Sequence, residues 1–209
     1  MNYESMSKIH YLFYILIHPV TGFEELKFNK KGSVGIANLL CFLLCFAVIV
    51  RQALSAFIFR TTRVEDINIL LLIAGCIGIL LMFSLANWLF CTLLEGKGKF
   101  FEIWVVSCYS MLPYIMVSIP LTAIGHIITI DEAFFYNTMM VLLCVWSGLL
   151  LFIGTMCIHQ FTIFKNILTL IFTIIGIVIM LFLLLLLFTL LRNVYVFFVT
   201  IYNEMSFRI

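Results

Sequence analysis

The sequence predicts an all-α integral membrane protein, a bundle of about five transmembrane helices with short loops. Of its 209 residues, 65% are hydrophobic and only 11% are charged, less than half of the charged share of an average soluble domain, about 25%. The apolar residues fall into five long runs, each near or above the roughly 20 residues that cross a bilayer. The connections between the runs are too short to hold a folded soluble domain.

The first element is a segment, residues 1–33, that is too polar to span a membrane. Its apolar stretch from Ile9 to Ile17 is rich in Tyr and Phe, which suit the boundary between water and lipid. After Pro19, the order Thr21 to Glu24 fits a capping box at the start of a short helix. We therefore expect a cytoplasmic or interfacial N-terminal segment with a pair of interfacial helices, followed by a five-helix transmembrane domain over residues 34–209.

The five predicted spans run over about residues 34–59, 67–94, 103–128, 134–158 and 167–191. The third span contains Pro113 and Pro120, and each proline removes a backbone hydrogen bond to the carbonyl four residues earlier, that of Tyr109 or Met116. We expect a bent third helix. Such a bend improves packing in most bundles, and its freed carbonyls can also form a binding site.

Three lysines predict the orientation of the chain. Lys27, Lys30 and Lys31 lie just before the first span, and positive charge beside a span favours the cytoplasmic side. With an odd number of spans, the N-terminus is then cytoplasmic and the C-terminus outside.

Composition also excludes several classes of protein. The net charge of +2 comes without a basic cluster, so nothing indicates a nucleic-acid partner. All seven cysteines lie in apolar runs and are expected to pack as small hydrophobes, not as metal ligands or disulfides. No catalytic or nucleotide motif is present. We expect no enzyme, no metal and no cofactor.

Polar residues inside a span are the usual pointer to function in a membrane protein. Here they are Asn38, Arg51, Gln52, Asn87 and His126, and no Asp or Glu lies mid-span, which argues against a proton-coupled carrier. Arg51 either snorkels to the outer interface or lines a polar interior. Asn87 is expected to make interhelical hydrogen bonds, and His126 to lie at the membrane edge.

Several landmarks occur in a familiar order. His18 and Pro19 precede Phe23. A glycine-rich loop with Gly96 and Gly98 leads through Phe100 and Phe101 to Tyr109 and Pro113. The last span opens with His159, Gln160, Phe161 and Thr162. In this order and spacing the chain resembles the Yip family, the Rab-interacting membrane proteins, in its compact bacterial form. It departs from the family at Cys108, where the family usually has Gly, and at Thr162, where it has Ser. The long polar N-terminal region of eukaryotic members is absent.

The resemblance implies a non-enzymatic protein of a bacterial plasma membrane, with a eukaryotic secretory-pathway membrane as the alternative. Eukaryotic relatives act in vesicle trafficking, and bacterial relatives are often encoded beside transporter genes. We therefore expect a scaffold or accessory protein that binds lipid and another membrane protein, with a transporter among the possible partners and self-association left open. The candidate partner-binding residues are His18, Pro19, Gly96, Gly98, Phe100, Phe101, His159 and Phe161, all on the predicted cytoplasmic face.

Two alternatives remain beside this expectation. Phe and Lys at a membrane edge are also typical of residues that lie among lipid headgroups. The chain can also be a permease or channel component with a site at the bent third helix, which Pro113, Pro120 and Asn87 would form. A polar cavity reaching the middle of the membrane would favour transport, and a bundle filled by apolar side chains would favour the scaffold.

Overall fold

The computed structural model describes residues 8–29, 32–56 and 67–206. Within these ranges the chain forms helices α1 (Lys8–Ile17), α2 (Pro19–Phe28), α3 (Val34–Leu54), α4 (Ile69–Leu93), α5 (Phe100–Ser110), α6 (Leu112–Ile124), α7 (Ala133–His159) and α8 (Ile163–Ser206), with a short 3-10 turn before α7. Five helical segments are long and apolar enough to cross a membrane, with α5 and α6 together forming one of them. The predicted fold class is confirmed.

The five spans lie close to their predicted positions. The third begins at Phe100 and ends at Ile124, so it starts and ends a few residues earlier than expected. The last span starts at Ile163 and continues without a break past Arg192. The end of the first predicted span and the connection after it fall partly on residues 57–66, and Lys30 and Lys31 lie between α2 and α3. Both stretches are outside the described residues.

Helices α1 and α2 form a hairpin that is tied to the bundle. The Tyr11 hydroxyl donates a hydrogen bond to the Gly22 carbonyl at 2.7 Å, and a Cβ on Gly22 would lie 2.8 Å from the Ile15 side chain, so the two helices touch closely. Burial, and to a lesser extent the Glu25 carboxylate, raises the pKa of the Tyr11 hydroxyl, which therefore stays protonated as a donor. Phe23 of α2 is completely buried against α7.

The capping box predicted at Thr21 and Glu24 is wrong. Helix α2 begins three residues earlier than predicted, at Pro19, and its N-cap residue is His18. Proline is well suited to the first turn, because its fixed φ matches the helix. Its missing N–H costs no hydrogen bond there, since N–H groups of the first turn have no acceptor within the helix. Thr21 therefore lies inside the helix, where its hydroxyl donates to the His18 carbonyl at 3.3 Å.

The third span is interrupted at Met111, between α5 and α6. Pro113 lies in the first turn of α6, and the Met111 N–H bonds back to the Cys108 carbonyl at 3.2 Å, a tighter turn than an α-helix has. Helix α6 continues through Pro120. The interruption of the third span thus coincides with Pro113, whereas Pro120 lies within regular helix.

The core is filled mainly by apolar side chains where α2, α3, α5 and α7 meet. Tyr109 and Val106 of α5, Phe23 of α2 and Leu150 of α7 are all nearly or completely buried. At Gly154 of α7 the backbones come so close that an added Cβ would lie 2.5 Å from the Val106 side chain and 3.2 Å from the Phe23 ring. Close approach of this kind at a small residue is how membrane helices gain packing energy.

The cysteines of the described residues are all free, and five of them are buried. Cys76 is half-buried and Cys144 is exposed. The buried thiols pack as the sequence predicts, as small side chains within the bundle.

Gly154→Ala should destabilise the protein, because the new methyl group overlaps Val106 and overpacking costs about 1–3 kcal/mol. The matched control is Gly148→Ala on the same helix, where a Cβ meets nothing within 4 Å. It should leave stability unchanged or raise it, since alanine is the better helix former by about 1 kcal/mol. Thermal unfolding in detergent micelles, followed by tryptophan fluorescence, measures both. An equal response of the two variants would contradict the close contact at Gly154.

Candidate functional site

His159 is the last residue of α7 and is almost completely buried. The chain turns away directly after it, because Gln160 adopts the left-handed conformation that ends many helices. The Gly98 N–H donates to His159 Nδ1 at 3.3 Å, and His159 Nε2 lies 3.1 Å from Asn87 Oδ1. Since Nδ1 accepts, the proton must be on Nε2, which donates to the Asn87 oxygen. The ring is therefore neutral in this arrangement.

Asn87 of α4 extends the hydrogen-bond network to α8. Its side chain is completely buried, and its Nδ2 donates to the Thr173 hydroxyl at 3.2 Å. The Thr173 hydroxyl in turn donates to the Thr169 carbonyl one helical turn earlier, at 2.8 Å. The expectation that Asn87 makes interhelical hydrogen bonds is confirmed. We call Asn87, Gly98, His159 and Thr173 the polar lock, since these four residues join α4, α7, α8 and the loop after α4.

Gly96 and Gly98 are needed for space beside the histidine. A Cβ on Gly96 would lie 2.7 Å from His159 Nδ1, and one on Gly98 would lie 2.5 Å from His159 Cε1. Neither glycine has a positive φ; the residue of this turn that does is Glu95, at 59°. The sequence predicted the two glycines as candidates for partner binding. In the structure their role is to let the backbone approach the buried imidazole ring.

Three separate parts of the chain are joined next to the polar lock. Lys27, at the end of α2, donates to the Lys97 carbonyl at 2.8 Å and forms an ion pair of 2.6 Å with Glu102 of α5. Lys97 in turn donates to the Gln160 side-chain oxygen at 2.9 Å. The Glu102 carboxylate also accepts from the Lys99 N–H at 3.1 Å, which caps the start of α5.

The aromatic residues of this region differ in exposure. Phe161 is buried and stacks on His159 with 5.3 Å between ring centroids, while the Lys165 ammonium lies 4.5 Å from the Phe161 ring centroid. Phe101 and Phe164 are 65% and 85% exposed. Phe100 is half-buried and packs edge-on against Trp88. Phe161 thus supports the histidine, and Phe101 and Phe164 are the aromatic rings that are free to make contacts outside the chain.

The other predicted residues lie apart from the polar lock. His18 is exposed and its ring packs against Tyr14, and Pro19 starts α2. The Asn38 side chain accepts from the Trp104 indole at 3.0 Å. His126 bonds to the Leu54 carbonyl at 2.7 Å, at the opposite end of the bundle.

Arg51, whose position the sequence left open, donates to the Tyr114 hydroxyl at 3.1 Å. Its guanidinium therefore lies against the third span. Tyr109 is buried in the core, and Pro113 and Pro120 belong to α6.

Sequence reasoning missed Thr173, Lys27 and Glu102 as members of this region. Thr173 lies in a long apolar run, and the available indication was Thr169 one turn earlier, which places two hydroxyls on one face of α8. Lys27 was assigned to membrane orientation alone, although it also has a defined partner. Nothing in the local sequence links Lys27 to Glu102, which is 75 residues away.

Gly98→Ala should lower stability by about 1–3 kcal/mol, because its methyl group overlaps the imidazole ring of His159. His159→Ala should also be destabilising, since the Gly98 N–H loses its acceptor. In the His159→Ala background, Gly98→Ala should cost less, because the ring is gone and only Ile158 remains close. Thermal unfolding of the four proteins of this cycle measures the coupling. Additive losses would contradict the contact between the loop and the ring, and Gly75→Ala, with open space around it, is the control.

No curated protein and no solved structure matches the chain. The family model described as the Yip1 domain matches residues 13–205, nearly the whole chain. That range contains helix α2 of the hairpin and all five spans. It also contains the polar lock and the residues that join α2 to the lock. The chain therefore belongs to the Yip1 domain family.

Proposed function

We propose that this protein is a non-catalytic scaffold or accessory protein of a bacterial plasma membrane, which binds another membrane protein through one end of its bundle. We call this end the loop face; it consists of residues 27–29, 95–101 and 160–165. The observation that carries the proposal is the polar lock, which holds the two loops of this face in one fixed arrangement. A pre-ordered surface binds at a lower entropic cost than flexible loops do.

The loop face has the composition of a protein-binding surface. Phe28, Phe101, Ile163 and Phe164 are all more than half exposed. Lys97 and Lys99 are exposed beside them. Large exposed apolar side chains rimmed by charge mark interaction sites. The excess of lysine favours a partner segment that carries acidic residues close to the membrane.

The same lysines support a cytoplasmic loop face. Lys27, Lys97, Lys99 and Lys165 all lie at this end of the bundle, whereas the opposite connection carries Asp131 and Glu132. Positive charge in short loops favours the cytoplasmic side. The N-terminal segment is then cytoplasmic, and the end of the last span is outside.

The packing of the bundle favours a scaffold over a permease. Where α2, α5 and α7 meet, Phe23, Val106 and Leu150 are nearly or completely buried. The buried polar groups of the lock are bonded to one another. A transport path needs polar groups that face water or a substrate inside the bundle. The cavity beside Arg51 and Ser147 differs from such a path, because its exposed lining is mostly apolar.

Photo-crosslinking tests the binding face. A benzoyl-phenylalanine at position 101 or 164 replaces an exposed aromatic residue of the loop face, and the matched controls are positions 134 and 135, which are 73% and 71% exposed at the other end. In cells, we expect protein adducts from positions 101 and 164, identified by mass spectrometry. Protein adducts from positions 134 and 135 alone would refute the proposal, and lipid adducts alone at 101 and 164 would assign the loop face to the headgroup layer.

A reporter fusion tests the orientation. A reporter that is active only in the cytoplasm, fused after residue 209, should give no signal, whereas the same reporter inserted after Gly96 should give one. The expectation follows from the lysine distribution and the five spans. Signal at the C-terminal fusion would overturn the orientation and place the loop face outside.

A further inference from the structure

A cavity of about 400 Å³ lies between α3, the start of α6 and α7, away from the polar lock. Its walls include the apolar residues Leu44 and Met111 and the backbone of Gly148. Three side chains with hydrogen-bond donors also line it: Arg51, Tyr114 and Ser147. Met111 is the residue at which the third span is interrupted, so the cavity lies beside that interruption.

Arg51 brings a positive charge to this cavity, and no carboxylate among the described residues pairs with it. It lies in the last turn of α3, within the first span. Its partner among the described residues is the neutral Tyr114 hydroxyl at 3.1 Å. The ion pair found among the described residues joins Lys27 to Glu102 and does not involve Arg51. A guanidinium has five N–H donors. Arg51 is exposed in the isolated chain, so its other N–H donors can reach an anion in the cavity.

Ser147 adds an unused donor deeper in the cavity. Its side chain is 3% exposed, and its hydroxyl has no hydrogen-bond partner among the described residues. Buried hydroxyls nearly always have a partner, so an orphaned one that lines a cavity requires an atom from outside the chain, from a water or a ligand. Next to it, a Cβ on Gly148 would meet nothing within 4 Å, so the space beside Ser147 is open.

The polar groups of the cavity lie at two levels along the bundle. Its charged end is at Arg51, one turn from the end of α3, and Ser147 lies about midway along α7, a helix of 27 residues. Donors occur at both levels, and the apolar side chains of Leu44 and Met111 line the same cavity. A charge, uncharged donors and apolar walls in one cavity match the chemistry of a phospholipid, which carries a phosphate, ester groups and acyl chains.

We propose that this cavity binds one anionic phospholipid, with its phosphate on Arg51 and Tyr114, an ester oxygen on Ser147 and an acyl chain beside Leu44 and Gly148. Its volume falls in the range of small-molecule sites, about 300–1,000 Å³. A partner helix, about 10 Å across, is too wide to reach a hydroxyl that is 3% exposed. Free phosphate would gain nothing from the apolar walls, and a zwitterionic lipid brings its own cation to the arginine.

The test uses the purified full chain in maltoside micelles. It is titrated with dioctanoyl phosphatidylglycerol, with dioctanoyl phosphatidylcholine and with inorganic phosphate, and native mass spectrometry counts the bound molecules. We expect saturable binding of one phosphatidylglycerol and weaker binding of phosphatidylcholine. Arg51→Gln should weaken phosphatidylglycerol binding about tenfold or more, since a charge-assisted contact is lost. Gly148→Leu, which fills the space beside Ser147, should abolish it.

Ser147→Ala should weaken binding several-fold without loss of stability, because it removes a hydroxyl that has no partner in the described protein. It keeps the test valid if Arg51→Gln proves unstable. The matched controls are Arg192→Gln, an exposed arginine of α8, and Gly75→Leu, a helical glycine of α4 with open space around it. Both should bind phosphatidylglycerol as the natural sequence does.

Three outcomes would overturn the proposal. Equal phosphatidylglycerol binding by the natural sequence, Arg51→Gln and Ser147→Ala would show that the lipid is held elsewhere. Displacement of the lipid by inorganic phosphate at similar concentrations would assign the cavity to a free anion. If a protein partner copurifies in place of the lipid, and if Arg51→Gln alone loses that partner, Arg51 would be assigned to a helix–helix contact.

Discussion

The two hydrogen bonds of the His159 ring are the contact on which the arrangement of the loops depends. One ring nitrogen accepts from the Gly98 backbone and the other donates to Asn87. This pattern requires a neutral imidazole, two glycines small enough to admit the ring, and an amide on α4 with a further partner on α8. Removing the imidazole, the Asn87 amide or the Thr173 hydroxyl leaves another buried polar atom unpaired, which costs about 1–3 kcal/mol. The polar lock therefore acts as a unit.

The contrast between the loop face and the cavity beside Arg51 has a physical basis. At the loop face, the polar groups of Lys27, Glu102 and the lock are bonded within the chain. Around Arg51 and Ser147, donors are left over within the described parts of the chain. The satisfied groups make a surface rigid, which suits a contact with a folded partner. The unsatisfied groups need atoms from outside the chain, which suits a ligand.

Much of the fold is predictable from the sequence because the bilayer limits the choices. A run of 20 apolar residues has one stable solution in lipid, and all five spans were predicted within a few residues, apart from the long extension of the last. The errors come from local chemistry. Pro19 starts α2, so the capping box at Thr21 does not form. The order of Gly96, Gly98 and His159 in the chain was recognised, and the family it indicated is confirmed. That the glycines touch the ring was not predictable, because the contact joins residues about 60 apart. The open hydroxyl of Ser147 likewise depends on packing that no local pattern encodes.

The length of α8 has a consequence for the membrane itself. The helix has 44 residues, about 66 Å at 1.5 Å per residue, and every side chain from Leu181 to Met205 is exposed in the isolated chain. Its continuous apolar stretch, Ile167 to Leu191, is about 37 Å long, against roughly 30 Å of hydrocarbon. Such hydrophobic mismatch is relieved by tilting the helix or by thickening the bilayer around it. The last span is therefore long enough to cross the bilayer at a tilt, or to thicken the lipid directly around it.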